Sequence, residues 1–167
     1  MPVQGLQRRN PMSSVQDAFE KTIRLAIRRE REAYKFYNQA AKNSQLSFSA
    51  KLLQELAQRE VAHREKLKKA LEEGVCETFA CSSVAEVNDL RLSNYLLEIP
   101  LRSDSSPQEV LQVAMKREQA SHEFYKALSG QTTHTAFRVV FEVLAREELD
   151  HKNRLEKMYE DIFMPEM

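Results

Sequence analysis

The chain has 167 residues, with 25 Lys and Arg against 25 Asp and Glu, so its formal net charge is zero. That length suits one domain with a real core, and the even charge argues against nucleic acid or an anionic membrane as partner, because either calls for a basic surplus. The longest apolar runs are only a few residues, too short for a membrane span, and Arg8-Arg9 is followed by the polar Asn10-Pro11-Met12-Ser13-Ser14 rather than the apolar stretch of a secretory signal. A cytoplasmic protein is expected.

Three glycines, five prolines and no Trp, in a chain rich in Glu, Lys, Arg, Leu and Ala, describe a helix-forming sequence. No segment alternates in the manner of a half-buried strand. The expected class is all-α.

Residues 1–12 read as a flexible tail. Ser14, with Asp17 three residues on, forms a plausible capping box that opens a first helix reaching about residue 42. Its inward stripe is Phe19, Ile23, Ala26, Ile27, Ala33, Tyr34, Tyr37 and Ala41. A second helix starts near Ser47 and stops at Gly74, with Leu52, Leu53, Leu56, Leu67 and Leu71 inward. Ser106-Pro107-Gln108-Glu109 is a capping box with Pro in the first helical position, and opens a third helix that ends near Gly130. Val110, Leu111, Ala114, Met115, Tyr125 and Leu128 face its core side. The fourth helix runs from about His134 to Phe163 on Phe137, Val140, Phe141, Leu144, Leu155, Met158 and Ile162.

Short loops join helices 1 and 2, and helices 3 and 4, so each pair should be an antiparallel hairpin, spanning about 14–74 and 106–163. The stretch 75–105 is long for a connection inside a compact domain and fits a crossover running the length of a four-helix bundle. A short helix over about 84–97 is expected within it.

Each stripe contains a polar interruption: Glu30 in helix 1, Glu60 and His63 in helix 2, Glu118 in helix 3, Glu148 and His151 in helix 4. Glu118, Glu148 and His151 each lie 88 residues after Glu30, Glu60 and His63. The same shift relates Phe36-Tyr37 to Phe124-Tyr125, Ala26 to Ala114, Leu56 to Leu144, Ala57 to Ala145 and Leu67 to Leu155. The two halves read as copies of one hairpin. A lone Glu-x-x-His is weak, since with 20 Glu and four His chance supplies about half of one such pair. The full set at one fixed shift is far more specific than surface glutamates and incidental histidines would produce.

Positions i and i+3 project from one helix face, so a Glu and a His so spaced can reach one ion. Four carboxylates in an apolar core would repel one another and lose hydration, and two divalent cations would cancel their charge. Oxygen donors with one imidazole per ion suit iron or manganese, while zinc can occupy such a site through its higher affinity. The lack of thiolates argues against a structural zinc site.

With Glu30, Glu60-Val61-Ala62-His63, Glu118 and Glu148-Leu149-Asp150-His151 in view, the chain resembles the ferritin-like superfamily, and within it the rubrerythrin-like proteins, over nearly its whole length. The resemblance implies an antiparallel four-helix bundle and two iron ions, one held by Glu30 and His63, the other by Glu118 and His151, with Glu60 and Glu148 bridging. It also implies a role for Tyr37 and Tyr125, each two turns after its Glu, because a similarly placed tyrosine in relatives hydrogen-bonds a ligand carboxylate. Amphipathic core aromatics explain them equally well.

Typical rubrerythrins add a rubredoxin domain with two Cys-x-x-Cys knuckles, whereas this sequence has only Cys76 and Cys81. They also carry a further Glu one turn after the third-helix ligand, where Ser121 stands here. Bacterioferritins carry a haem-binding Met at the position of Val61, and the fifth helix of a storage shell is not expected after helix 4. The function implied is an oxidoreductase reducing hydrogen peroxide or dioxygen with electrons from an external protein such as rubredoxin. A ferroxidase or iron-handling protein and a non-catalytic metal-binding module are the alternatives, and a homodimer is compatible with each.

Several other residues attract notice and have plainer readings. Cys76 and Cys81 read as ordinary reduced thiols. His122 and Tyr34, one turn after Glu118 and Glu30, read as packed core residues that could border the site. His134 reads as a surface residue at a helix start. Arg24, Arg28, Arg29 and Arg31 read as a solvated face.

Overall fold

The computed structural model describes residues 11–42, 50–72, 105–132 and 135–165. Four helices account for almost all of them: α1 Pro11–Lys42, α2 Ala50–Glu72, α3 Pro107–Gln131 and α4 Thr135–Phe163. No strand occurs among the described residues, and no helix there is long and apolar enough to cross a membrane. The expected crossover helix over 84–97, Cys76, Cys81 and His134 lie outside the described residues, as do the side chains of Phe19 and Phe137.

The caps explain some boundaries directly. At α3 the Ser106 hydroxyl accepts from the Glu109 backbone N–H (3.2 Å), and the Glu109 carboxylate accepts from the Ser106 N–H (2.7 Å), closing the expected box with Pro107 at the first turn. At the other end Thr132 N–H returns to the Leu128 carbonyl at 3.1 Å. The start of α1 differs from expectation. Pro11 and Met12 belong to the helix, so Ser14 and Asp17 lie inside it rather than opening it. Proline presets the helical φ and lacks only an N–H that the first turn leaves unpaired, which lets Pro11 start the helix.

α1 packs against α2 and α3 against α4 as two hairpins. Between hairpins, contacts on α1 rise in number from Arg29 to Tyr37 as their partners on α3 fall from Tyr125 to Arg117, so these two helices run antiparallel. α2 and α4 are likewise antiparallel: Lys66 Nζ binds Glu147 at 3.0 Å while Arg154 reaches Glu55 at 2.8 Å.

The interior holds two apolar clusters. One contains Ile23, Ala26, Leu67, Phe124, Tyr125, Leu128, Phe141 and Leu144. The other contains Leu111, Ala114, Leu155, Tyr37, Ala40, Leu53 and Leu56. The 88-residue shift carries one cluster onto the other, so the internal repeat survives in three dimensions. Ile162, assigned to the core stripe, is instead 38 % exposed. In the last turn of α4 it borders a groove with Lys51 and Leu52 at the start of α2, beyond the part of the bundle covered on every side.

Leu56 and Leu144 are both fully buried and stand one turn before Glu60 and Glu148. Replacing either with Ala should cost the metal-free protein about 2–5 kcal/mol in denaturant unfolding, and the two losses should be similar. Losses below about 1 kcal/mol in either variant would contradict the paired packing.

Candidate metal centre

Between the two apolar clusters the four helices bring together Glu30, Glu60, His63, Glu118, Glu148 and His151, none more than 2 % exposed. Two overlapping groups result. In each, the donor atoms lie within 4.8 Å of one another: Glu30, Glu60, His63 and Glu148 in one, Glu60, Glu118, Glu148 and His151 in the other. Glu60 and Glu148 belong to both groups, so each could serve two ions, while Glu30 and Glu118 belong to one each. The imidazoles stack with centroids 5.6 Å apart and planes 9° from parallel. Both turn Nδ1 toward the carboxylates: His63 Nδ1 lies 3.3 Å from Glu30, and His151 Nδ1 lies 3.2 Å from Glu118 and 3.1 Å from Glu148.

Tyr37 and Tyr125 are fully buried and cross between hairpins: Tyr37 Oη donates to Glu118, and Tyr125 Oη donates to Glu30. Each therefore serves the carboxylate of the other half rather than the one in its own helix. Burial raises both phenol pKa values, and the adjoining Glu118 and Glu30 raise them further, so both remain proton donors.

Three arrangements were missed in the sequence. Arg29 is not on the solvated face with Arg24, Arg28 and Arg31, which are exposed. It is half-buried, its guanidinium 4.5 Å above the Phe124 ring and donating to Ser121 Oγ at 3.3 Å. Arg117 lies 4.5 Å above Phe36 in the same way. The 88-residue shift relates Arg29 to Arg117 as it does Phe36 to Phe124, so the repeat did carry that signal. Glu147 was also missed: it accepts from His63 Nε2 at 2.6 Å and from Lys66. His122 donates from Nδ1 to the Ala145 carbonyl at 2.6 Å, which ties α3 to α4, and Tyr34 is partly buried against the second apolar cluster.

Electrostatics of the metal-free cluster follow from crowding. Burial, then the charges of Glu148 and Glu30, pushes Glu60 well above the carboxylate range. Burial and Glu148 push Glu118 up to about 8. For His151, burial opposes the charged form, but hydrogen bonds to Glu118 and Glu148 outweigh it and raise it to about 9. His63 is raised in the same manner by Glu147, Glu148, Glu30 and Glu60. Glu148 moves down, because both imidazoles outweigh its burial, and His63 with Lys66 pulls Glu147 down to about 2. Without metal, protons balance the cluster.

The donor set fits two divalent cations. Glu60 Oε1 is buried and has no hydrogen-bond partner among the described residues, and such an oxygen is costly unless a cation meets it. Four carboxylates match the charge of two such ions, and carboxylates with imidazoles suit first-row metals. A sequence model of rubrerythrin matches residues 5–78 and 109–167. The chain belongs to the rubrerythrin family. No curated protein and no solved structure matches it. Family and cluster together indicate a di-metal site in a rubrerythrin-type bundle.

The metal-free protein should lose stability as pH rises from 6.5 to 9. Glu118, with an ordinary value of 4.5 and a folded value of about 8, keeps its proton in the core where the unfolded chain has lost it, so its contribution falls as pH rises toward 8 and levels off above. His151, raised from 6.5 to about 9, contributes stability below 6.5 that vanishes as pH passes 9. The lowered Glu147 and Glu148 act in the opposite sense, but their contribution is lost only as pH falls below the ordinary 4.5 and is constant here. Thermal melts of chelator-treated protein across this window check the slope. A Tm that is flat or rises would place the carboxylates outside the core.

Proposed function

We propose that this rubrerythrin-family protein is a di-iron oxidoreductase that reduces hydrogen peroxide in preference to dioxygen, using electrons delivered by a separate carrier such as rubredoxin. The observation that carries the reading is the buried, repeat-symmetric set of four glutamates and two histidines around which the bundle closes. Iron bound there would supply two electrons for cleaving an O–O bond. The surrounding residues prepare the site for that chemistry. Glu60 and Glu148, shared by both donor groups, can change how they divide their oxygens between two positions. Tyr37 and Tyr125 hold Glu118 and Glu30 in orientation and keep a proton at Oη beside each. The apolar clusters on both sides exclude bulk water.

Preference for peroxide follows the resemblance to rubrerythrin-like proteins. The external donor follows from the sequence, where two cysteines are too few for a four-cysteine iron site. A carrier would have to approach a surface with no net charge to steer it. A cytoplasmic location belongs to the same reading, since a reduced pair needs a reducing supply.

The test is anaerobic loading with ferrous iron, followed by stopped-flow mixing with stoichiometric peroxide or air-saturated buffer. Two irons per chain and faster oxidation by peroxide are expected, and His63→Ala or His151→Ala should each remove one iron. Faster oxidation by dioxygen, with ferric mineral building up on repeated additions, would favour a ferroxidase. Slow reaction with both oxidants would leave a non-catalytic metal-binding module.

A further inference from the structure

The two donor groups are identical in kind, each with one Glu of its own, two shared Glu and one His. Judged by these ligands alone, two cations should bind equally well. The tyrosines preserve the equality, because Tyr125 on Glu30 and Tyr37 on Glu118 are images under the repeat. The outer faces of the histidines do not. His63 Nε2 donates to Glu147 at 2.6 Å, and Lys66 Nζ fixes that carboxylate from the other side at 3.0 Å. His151 Nε2 is buried and has no hydrogen-bond partner among the described residues. The residue 88 positions before Glu147 is Arg59, which is exposed. The repeat has kept the ligands in both halves and the outer carboxylate in only one.

A histidine that gives Nδ1 to a metal must carry its proton on Nε2. A carboxylate accepting that proton selects the tautomer, locks the ring and makes Nδ1 a better donor, and losing such a partner typically costs 10–100-fold in metal affinity. His151 must instead bury an N–H with no acceptor among the described residues when its Nδ1 binds. We propose that Glu147 makes the two metal positions unequal: the Glu30–Glu60–His63–Glu148 position takes the first divalent cation, and the Glu60–Glu118–Glu148–His151 position takes the second more weakly. Glu147 is thus a positioning residue that acts through His63 and sets the order of filling. The proposal rests on the di-metal reading of the cluster.

The test is anaerobic titration of metal-free full-length protein with cobalt(II), followed by calorimetry and visible absorption, with no turnover needed. Wild type should show two steps separated by about tenfold or more. His63→Ala should remove the tighter step. Glu147→Gln should weaken the tighter step by about 10–100-fold and leave the weaker one within about twofold. Arg59→Glu, which places a carboxylate at the position equivalent to Glu147, should tighten the weaker step and draw the two together. Two equal constants in wild type would overturn the inequality while leaving the di-metal site standing. So would a Glu147→Gln effect spread evenly over both steps, since that is what loss of a nearby negative charge alone would give. No cobalt binding by wild type would overturn the di-metal reading, and the proposal with it.

Discussion

The structure depends on an unfavourable act: four carboxylates and two imidazoles are gathered inside an apolar bundle. Each carboxylate gives up hydration worth several kcal/mol and gains like-charged neighbours. The metal-free cluster meets this with protons, which is why Glu60 and Glu118 are held above the usual range and both histidines are raised. Two divalent ions would take the place of those protons, so metal uptake and proton release are coupled in this site. Metal would also stabilise the fold by binding the native state alone.

The surroundings make that arrangement tolerable. Repeat-related apolar clusters close the site on both sides, so the charged residues need no bulk solvent and have none. Between α1 and α3 the contacts are reciprocal: Tyr125 on Glu30, Tyr37 on Glu118, Arg29 over Phe124, Arg117 over Phe36. These hold the terminal carboxylates in place through bonds from the opposite hairpin, so each half-site is complete only when both hairpins have docked.

Symmetry is strict at the ligands and relaxed around them. Ala33 and Tyr34 become Ser121 and His122 in the second half. There Ser121 accepts from Arg29, and His122 binds the Ala145 carbonyl. Arg59 becomes Glu147, which gives His63 an outer carboxylate where His151 has none among the described residues. A duplicated hairpin can therefore hold two chemically alike positions and still treat them differently, because the ligand residues must stay equal while their neighbours need not.

Much of this was legible in the amino-acid order. Helix type and number followed from composition and apolar period, and the six buried polar residues stood out because each interrupts a stripe that should be apolar. Their spacing of three within a helix and 88 between halves is a local, one-dimensional property, so no tertiary information was needed to gather them. Other features required the packed bundle. Tyr37 could have served the Glu of its own helix, and only the antiparallel approach of α1 and α3 sends it to Glu118. Arg29 looked solvated within an arginine run, yet its own direction around the helix puts it over Phe124 while Arg28 and Arg31 face water. Glu147 is the extreme case. It is adjacent to a ligand in sequence, but the helix turns adjacent side chains about 100° apart, so its meeting with His63 is decided entirely by how α4 lies against α2. Periodicity along one helix specifies which face is buried. Which residue of another helix that face meets depends on register and crossing between helices, and those exist only once the tertiary structure has formed.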